Sequence, residues 1–303
     1  MDRLRSMIDY SVIPNAPVVV IVGPTAIGKS DLSVNLARER GCEIASADAF
    51  QVYRKMDVGT AKVSAAILKE IPHYLVDIRD PDESYSVGEF LAEVEPLIHR
   101  AHNGGPRLII CGGTGLYIHS MLHRYQTPNI EVDPALRESL NDDLYLLGSR
   151  VLWERLAAID ADAAQEIHPH HSSRIVRALE LTLTTGRPIS TLRSAAPTQR
   201  LDCVIVGLRA NRETVWDRIL QRADAMIQHG LIDEVSGLLA QGYSPDLPAF
   251  QALGYKETVA YLNGTLPTTD ALKTAIFHHT RQFAKRQMTW FKRIQNVHWT
   301  EVG

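Results

Sequence analysis

The amino-acid sequence predicts an α/β protein built on a parallel sheet, with a helical insertion and a helical C-terminal region. Three observations lead to this class. Short β-branched runs alternate with helical patterns in the first part of the chain, and a glycine-rich loop directly follows the first of these runs. Residues 128–197 then show no comparable strand, and the alternation returns near Asp202. Alternating strands and helices are typical of a parallel sheet covered by helices.

The part of the chain outside the insertion is expected to supply the sheet. Strands are predicted at 17–22, 43–46, 73–78, 107–111 and 203–208, and helices from the glycine-rich loop to Gly41, over 86–102, and from Asn211 to Gly230. The first strand, Pro-Val-Val-Val-Ile-Val, has the continuous apolar pattern of strands buried on both faces. The second helix places Phe90, Val94 and Ile98 on one side, which predicts that this side packs on the sheet.

Helical patterns dominate the middle of the chain, at 133–147, 149–159 and 172–185. Asp133 followed by Pro134 is a favourable helix start, because proline is tolerated at the first helical position. We therefore predict a core formed by residues 1–127 and 201–303, whose C-terminal part is helical, and a helical insertion domain at 128–200.

Composition and charge bound the class of protein. The chain has 303 residues, 45% hydrophobic and 22% charged, with a formal net charge of −3, so any nucleic-acid surface must arise from local clustering of cations. Three separated cysteines argue against a disulfide framework and favour a reducing, intracellular compartment. No apolar stretch approaches roughly 18 residues. Residues 1–16 lack the apolar core of a signal peptide, so neither membrane insertion nor secretion is expected.

A phosphate-binding loop follows the first predicted strand. It consists of Gly23, Pro24, Thr25, Ala26, Ile27, Gly28, Lys29 and Ser30 and matches Gly-x-x-x-x-Gly-Lys-Ser/Thr at every fixed position. Gly23 and Gly28 allow the backbone N–H groups to point at phosphate oxygens, and the helix start adds partial positive charge. Lys29 supplies a full charge, and Ser30 is placed to ligate Mg²⁺. These features predict a P-loop NTPase-like sheet core that binds a diphosphate or triphosphate.

Asp48 directly follows the second predicted strand, at the edge where α/β sheets bind ligands. A carboxylate at this edge can hold Mg²⁺ or accept a proton as a general base. An aspartate can equally cap the turn or helix that follows it. From its position alone, the two interpretations of Asp48 stay open.

Cys111 ends the fourth predicted strand, and Gly112-Gly113-Thr114-Gly115 follow it. Glycines at a strand end allow a ligand to approach the backbone closely, or they simply form a tight turn. Typical NTPases place an acidic residue at such a strand end to hold Mg²⁺. The cysteine is therefore evidence against ATP hydrolysis.

Two groups of cations lie in the last third of the chain. Residues 271–300 contain six Lys or Arg and no Asp or Glu, and helical spacing places Arg281, Lys285 and Lys292 beside a buried stripe. The stripe is expected at Phe277, Thr280, Ala284, Met288 and Phe291. The cations suit a phosphate backbone or form a solvated helix face. Arg218 and Arg222 lie four residues apart, so either or both are candidates to reach a leaving phosphate or to pair with nearby carboxylates.

Six segments together resemble the tRNA dimethylallyltransferase family. They are Gly-Pro-Thr-Ala-Ile-Gly-Lys-Ser at 23–30, Ala-Asp-Ala-Phe-Gln-Val-Tyr-Arg-Lys-Met-Asp-Val-Gly-Thr-Ala-Lys at 47–62, Cys-Gly-Gly-Thr-Gly-Leu-Tyr at 111–117, Ser-Arg-Ile-Val-Arg-Ala-Leu-Glu at 173–180, Leu-Gly-Tyr-Lys-Glu at 253–257 and Ala-Lys-Arg-Gln-Met-Thr-Trp-Phe at 284–291. The resemblance covers about residues 17–299. A P-loop alone is shared with many NTPases, whereas this set in this order is far more specific.

The resemblance implies transfer of a dimethylallyl group from dimethylallyl diphosphate to the exocyclic amine N6 of the adenosine 3′ to the anticodon in tRNA. Diphosphate leaves, and Mg²⁺ assists. The family's general base aligns with Asp48, and Thr25, Lys29, Ser30 and Arg222 would stabilise the departing diphosphate. The target base must leave its stack to reach the donor. A cytoplasmic monomer of the bacterial type, without the zinc-finger extension of eukaryotic relatives, is expected.

The resemblance also implies contacts to the anticodon stem-loop of tRNA. They correspond to Asp48, Ala49, Phe50, Gln51, Thr114, Arg137, Ser173, Arg174, Ile175, Val176, Arg177, Gln251, Ala252, Leu253, Gly254, Tyr255 and Lys256, and the basic face adds Arg281 and Lys285. The family usually has serine directly after the catalytic aspartate, where this chain has Ala49. A hydroxyl contact to tRNA or diphosphate is therefore absent at that position.

Three other functions match part of the pattern. They are a small-molecule kinase with the insertion as a lid, an adenylate isopentenyltransferase acting on free nucleotides, and a non-catalytic nucleotide-binding module. A kinase needs an acidic residue near the fourth strand. The acid-free basic segment and the long helical insertion favour a large polyanionic acceptor over a free nucleotide.

Overall fold

The computed structural model of the chain describes residue 13 and residues 15–123, 133–192 and 201–303. Within these residues, one sheet contains β1 (Val18–Val22), β2 (Glu43–Ser46), β3 (His73–Tyr74), β4 (Leu108–Cys111), β5 (Val204–Arg209) and β6 (Val297–Glu301). Their order across the sheet is β3-β2-β4-β1-β5-β6, and every neighbouring pair is parallel. The predicted α/β class is confirmed.

Helices lie between every two consecutive strands along the chain. They are α1 (Lys29–Arg40), α2 (Ala65–Glu70), α3 (Val87–His102), α4 (Gly115–Leu122), α5 (Pro134–Ile159), α6 (Ala161–Glu166), α7 (Ser172–Thr185), α8 (Ile189–Leu192), α9 (Arg212–Gln228), α10 (Leu231–Ala240), α11 (Tyr255–Leu262) and α12 (Thr269–Phe291), with a 3-10 turn at Pro248–Gln251. Gly148 has non-helical backbone angles (φ 79°, ψ 163°), so it separates the two helices that were predicted within α5.

The buried sheet separates two apolar layers. All five residues of β1 are buried, and alternate side chains point to opposite faces. Val20 packs in a cluster with Phe90 and Val94 of α3, whereas Ile21 packs in another with Leu32 of α1. Helices therefore cover both faces, which explains why β1 has no polar position.

Two predicted elements differ from the structure. The third strand ends at Tyr74 instead of residue 78, because Leu75 and Asp77 have φ values of 63° and 56°, which a continuous strand does not allow. The C-terminal region is not wholly helical, since Val297–Glu301 pairs with β5 at the sheet edge. This short strand contains only half-buried and exposed residues, and it lacks the apolar run that marked the others.

The chain divides into two compact units, which we call the core unit (Met1–Leu122 with Leu201–Gly303) and the helical unit (His123–Arg200). The helical unit has its own apolar core, which includes Leu152, Leu156 and Ile175. The predicted boundary at 127/128 lies outside the described residues, as do 128–132 and 193–200 of the predicted insertion and nearly all of segment 1–16. In the described ranges, no helix combines the length and apolarity needed to cross a membrane.

Candidate active site

The P-loop turns between the carboxyl end of β1 and the start of α1. Gly23, Ala26 and Gly28 all have positive φ, at 147°, 62° and 100°. A Cβ at Gly23 would lie 2.7 Å from the carbonyl oxygen of Leu208, so glycine is required for the close approach of the loop to β5. Ile27 is fully buried and anchors the loop in the core.

A pocket of about 330 Å³ opens beside this loop, within the core unit. The predicted site residues that line it are Thr25, Lys29, Ser30, Asp48, Phe50, Gln51, Thr114, Arg222, Gln251, Ala252 and Leu253. They come from the loop after β1, the loop after β2, the loop after β4, helix α9 and the turn before α11. The carboxyl ends of parallel strands thus meet at one edge, as the sequence predicted.

Two of the cations that line this pocket, Lys29 and Arg222, are only partly offset by the carboxylate of Asp48. Burial lowers the pKa of Lys29 to about 8; the charge of Arg222 lowers it further, and that of Asp48 acts to raise it. Burial also lowers the pKa of Arg222, which Asp48 partly opposes. Both shifts mean that the positive charges lack compensation. A bound anion would supply it.

Two arginines of α9 hold the P-loop in place. Arg222 donates from Nη1 to Thr25 Oγ1 at 3.0 Å, and Arg218 donates from Nη1 to the carbonyl oxygen of Ile27 at 3.2 Å. Lys29 Nζ donates to the carbonyl oxygen of Pro24 at 2.9 Å. Of the two arginines, Arg222 lines the pocket, whereas Arg218 supports the loop backbone.

Asp48 both caps the turn that follows it and lines the pocket. Its Oδ1 accepts a hydrogen bond from the Phe50 N–H at 2.9 Å, so it caps the turn after β2. The carboxylate also lines the pocket with Lys29 and Arg222. Because an ionised carboxylate has two oxygens and about four lone-pair directions, the cap leaves capacity to accept a proton.

The turn after β2 is braced by two polar side chains. Thr114 Oγ1 accepts from the Ala49 N–H at 3.0 Å, which joins this turn to the loop after β4. Gln51 accepts from Ser46 Oγ at 2.8 Å and donates to the Thr60 carbonyl at 3.2 Å. Thr114 and Gln51 therefore have structural partners already.

The glycines after β4 are required by packing. A Cβ at Gly112 would lie 2.1 Å from the carbonyl oxygen of Ala47, and one at Gly113 would lie 2.3 Å from Nε2 of Gln287. The Ala47 carbonyl belongs to the backbone and leaves no room for a side chain at position 112, whereas a side chain at position 113 would have to displace the end of Gln287. This loop is therefore more than a tight turn, because it lets β2, β4 and α12 approach one another at the pocket.

Gln287 of α12 is a site residue that the sequence analysis missed. Its Oε1 accepts from the Thr25 N–H at 2.8 Å, and its Nε2 donates to the Gly113 carbonyl at 2.9 Å. The side chain is 4% exposed. One buried amide thus joins the P-loop to the loop after β4. The observed stripe of α12 buries Gln287 and leaves Met288 only half-buried, so a glutamine at helical spacing from Thr280, Ala284 and Phe291 was the available signal.

Several predicted RNA contacts in the core unit lie apart from the pocket. Gly254 and Tyr255 are buried, and the Tyr255 hydroxyl donates to Glu234 at 2.5 Å. This burial does not support direct contact between RNA and the Tyr255 side chain. Lys256 is exposed. Arg281 and Lys285 line a second cavity on another side of α12.

The helical unit carries the remaining predicted RNA contacts. Ile175 and Val176 are buried in its core, which does not support RNA contact for these two side chains. Ser173 and Arg174 are exposed. Arg137 and Arg177 both pair with the fully buried Glu180; Arg137 does so through Nε at 2.6 Å and Nη2 at 2.9 Å.

The donor atoms at the pocket suit a magnesium ion that arrives with a phosphate ligand. In the described part of the chain, no group of three or more His, Cys, Asp or Glu could hold a metal ion. The Ser30 hydroxyl and the Asp48 carboxylate nevertheless both line the pocket. Mg²⁺ usually retains several waters and binds one or two protein oxygens together with substrate phosphates. The residues present therefore fit an ion held largely by a bound diphosphate.

Comparisons with known proteins point to one family. A family model described as IPP transferase matches residues 51–294. The tRNA dimethylallyltransferase of Symbiobacterium thermophilum is 44% identical over 287 residues, which cover 94% of this chain and 89% of that protein. The tRNA dimethylallyltransferase of Geobacter sulfurreducens is 42% identical over 286 residues, covering 94% of this chain and 91% of that protein.

Solved structures lead to the same group. The tRNA isopentenylpyrophosphate transferase of Bacillus halodurans superimposes with a TM-score of 0.67 at 39% identity and covers 94% of this chain and 89% of that one. A eukaryotic dimethylallyltransferase acting on tRNA gives a TM-score of 0.79 at 26% identity and covers 95% of this chain and 74% of that one.

Proposed function

This chain belongs to the IPP transferase family and prenylates tRNA, and we propose that its P-loop pocket takes dimethylallyl diphosphate as the donor. The acceptor is the N6 amine of the adenosine 3′ to the anticodon. The observation that carries this proposal is the pocket itself, where Lys29 and Arg222 face one carboxylate, Asp48, and the strand end beside them has Cys111 where an NTPase has an acid.

The P-loop binds the diphosphate of the donor. The backbone N–H groups at the start of α1 point at the phosphate oxygens, and Lys29 and Arg222 stabilise the negative charge that grows as the bond between carbon and oxygen breaks. Thr25 accepts a hydrogen bond from Arg222 and donates its backbone N–H to Gln287, so its position beside the leaving group is fixed. Cys111 at the end of β4, where an NTPase has an acid, supports a departing diphosphate over a transferred γ-phosphate.

Asp48 is the general base. The N6 amine attacks the first carbon of the dimethylallyl group, the new N–C bond forms as diphosphate departs, and Asp48 takes the proton that the amine loses. Its cap on the Phe50 N–H fixes the carboxylate beside the pocket. The adenine has to leave its stack to reach this place. Mg²⁺ bound by the diphosphate, with Ser30 as a protein ligand, would supply further charge stabilisation to the leaving group.

The tRNA contacts follow from exposure and position. In the core unit, we propose contact through Asp48, Phe50 and Gln251 to Leu253, which line the pocket, and through Lys256. In the helical unit, we propose contact through those predicted residues that are exposed, which are Ser173, Arg174, Arg177 and Arg137. We place the reaction in the cytoplasm, where tRNA is processed, and expect the chain to act as a monomer.

Label transfer tests the proposed reaction. Purified protein, Mg²⁺ and labelled dimethylallyl diphosphate are combined with unmodified tRNA whose anticodon loop is rich in adenosine, and with AMP in a parallel reaction. Transfer to tRNA and not to AMP is expected. Transfer to AMP alone, or phosphate transfer from ATP, would contradict the assigned substrates.

Asp48→Asn tests the general base. The amide can still accept the Phe50 N–H but cannot take a proton, so tRNA affinity should stay within about twofold of the unchanged chain while turnover falls by roughly 10²- to 10⁴-fold. Binding is measured by filter retention, and turnover by single-turnover label transfer. Full activity in this variant would show that another group removes the proton.

A further inference from the structure

A second cavity, of about 550 Å³, lies in the core unit between α9, α12 and the P-loop residue Pro24. We call it the α9–α12 groove. It is lined by Pro24, Arg209, Ala210, Arg212, Val215, Trp216, Arg281, Gln282, Ala284, Lys285, Met288 and Lys292. Pro24 precedes Thr25 of the active-site pocket, so the groove lies next to the P-loop on another side of α12.

The groove is strongly basic. Five of its lining residues are Arg or Lys, and no Asp or Glu is among them. Arg209 pairs with Glu301 at 2.8 Å. Across the ranges that the structure describes, no carboxylate pairs with the other four cations, Arg212, Arg281, Lys285 and Lys292. This concentration of unpaired charge occurs in a chain whose net charge is −3.

The indole ring of Trp216 contacts two of the groove's arginines, Arg212 and Arg281. The guanidinium carbon of Arg212 lies 3.9 Å from the centre of the indole ring, and that of Arg281 lies 4.9 Å from it. Arg212 and Trp216 belong to the first turns of α9, whereas Arg281 comes from α12. The cation–π contacts draw two positive charges together without a carboxylate between them. A bound phosphate would relieve their repulsion, and arginine donors suit phosphate geometry.

The extent of the groove identifies its ligand as a chain of phosphates. Lys285 and Lys292 are separated by seven residues on and just after α12, which corresponds to roughly 10 Å along a helix. A single phosphate carries about two negative charges and cannot neutralise all four unpaired cations of the groove. Successive phosphates of a nucleic-acid strand can, and basic grooves with an aromatic ring are typical of sites for unpaired RNA.

We propose that the α9–α12 groove binds the phosphodiester backbone of the tRNA substrate, at nucleotides other than the adenosine that enters the P-loop pocket. The proposal rests on the proposed function for the identity of the RNA. It adds Arg212 and Trp216 to Arg281, Lys285 and Lys292, the cations that the sequence already offered for a phosphate backbone. Trp216 acts by positioning the two guanidinium groups.

Equilibrium binding of unmodified tRNA, measured over a series of salt concentrations, tests the groove without requiring turnover. Arg212→Gln should weaken tRNA binding by roughly 3- to 10-fold at low salt and reduce the slope of log K against log salt by about one phosphate contact. Lys69→Gln makes the same charge change at an exposed residue outside the groove and should leave the slope unchanged. Pyrophosphate affinity should be unaltered in both variants.

Trp216→Leu and Trp216→Phe separate positioning from net charge. Neither substitution alters the formal charge, so a purely electrostatic surface would bind tRNA equally well in both. If the ring positions the arginines, the leucine variant should lose affinity as Arg212→Gln does, and the phenylalanine variant should retain most of it. Melting temperatures identify any variant that fails to fold, and Arg212 is exposed, so its substitution remains informative.

Two results would overturn the proposal. In the first, Arg212→Gln and Lys69→Gln bind tRNA alike. In the second, Arg212→Gln weakens pyrophosphate binding and leaves tRNA binding unchanged, which would make the groove part of the donor site. A failure of label transfer in the unchanged chain would refute the proposed reaction, but the binding measurements would still report whether the groove binds RNA.

Discussion

Gln287 connects two loops of the active site at the scale of a single side chain. The partners determine the orientation of its amide, because the Thr25 N–H needs an acceptor and the Gly113 carbonyl needs a donor. Leaving a buried donor or acceptor without a partner costs about 1–3 kcal/mol. The position of the P-loop therefore depends on a residue from near the end of the chain.

Gln287→Leu should weaken the donor site specifically. Leucine has a similar size but satisfies neither backbone group, so the dissociation constant for pyrophosphate and the KM for the donor should rise by roughly tenfold or more. The affinity for tRNA should change little. Isothermal titration with pyrophosphate and filter binding of tRNA measure the two effects separately.

Gln287→Glu provides the matched control for this interpretation. Its carboxylate can accept from the Thr25 N–H at any pH, but it can donate to the Gly113 carbonyl only when protonated. Below the pH range in which Lys29 loses its proton, donor affinity in this variant should therefore keep improving as the pH falls, unlike in the leucine variant. If pyrophosphate affinity had the same pH dependence in the two variants, the hydrogen bonds of Gln287 would not contribute to donor binding.

Lys29 should make donor binding depend on pH. Its pKa is lowered to about 8 by burial, so in the free protein the ammonium is largely present at pH 7 and largely lost at pH 9. If the charged form binds the anion, affinity for pyrophosphate should fall above pH 8, by on the order of tenfold per pH unit at the limit. Calorimetric titrations from pH 6.5 to 9.5 measure this fall.

Lys29→Arg distinguishes the titration of Lys29 from the titration of pyrophosphate, which also loses protons in this pH range. Arginine stays charged throughout, so the part of the pH dependence that belongs to Lys29 should disappear while the part that belongs to pyrophosphate remains. The same pH profile in both proteins would contradict the assignment of the charge at this residue.

Helix α12 illustrates how one element can serve two surfaces. Gln287 and Phe291 point into the molecule, whereas Arg281 and Lys285 line the α9–α12 groove. The spacing of 3.6 residues per turn separates these faces. The contact between α12 and the loop after β4 is close, since glycine at 113 leaves room for the Gln287 amide.

A double-mutant cycle tests this contact. Gly113→Ala alone would place Cβ against Gln287 and should reduce stability and donor affinity, with a cost of about 1–3 kcal/mol. In the background of Gln287→Ala, which removes the opposing amide, the same change should cost less. Urea unfolding of the unchanged chain, the two single variants and the double variant gives the coupling energy. Additive effects would show that residue 113 and the Gln287 side chain do not interact.

The whole molecule contains two units, each with its own apolar core. The described residues that line the P-loop pocket all belong to the core unit. The helical unit is stabilised by residues such as Leu152 and by the buried Glu180, whose two arginine partners hold the pKa of its carboxyl below the usual range against the effect of burial. Damage to one core should therefore affect the units unequally.

Leu152→Ala tests this independence. Removing a fully buried leucine side chain should destabilise the helical unit by about 2–5 kcal/mol. Pyrophosphate affinity, which depends on the core unit, should stay close to that of the unchanged chain, while tRNA binding should weaken. Hydrogen exchange measures the local loss of stability in each unit. Leu108→Ala, in the core unit, should destabilise the core unit and leave the helical unit close to its original stability.

The sequence by itself determined the class of the fold and most of the pocket. Its buried runs and the P-loop motif follow from local chemistry: β-branched apolar strands, glycines at the turns and a lysine at a helix start. The second strand was predicted at its observed bounds, and Ser86 caps α3 where the helix was expected to begin. Asp48 was recognised through its place at a strand end and through the family resemblance.

Only the tertiary structure decided which residues surround these motifs. Gln287 is 262 positions from Thr25, and no local pattern relates them. The early end of β3 depends on positive φ angles at Leu75 and Asp77, beside which Asp77 N–H donates to the Gln51 carbonyl oxygen. Strand β6 depends on pairing with β5 across a long connection. Burial likewise assigned Tyr255 and Ile175 to cores. Periodicity describes one element at a time, whereas these features arise from contacts between elements that are far apart along the chain.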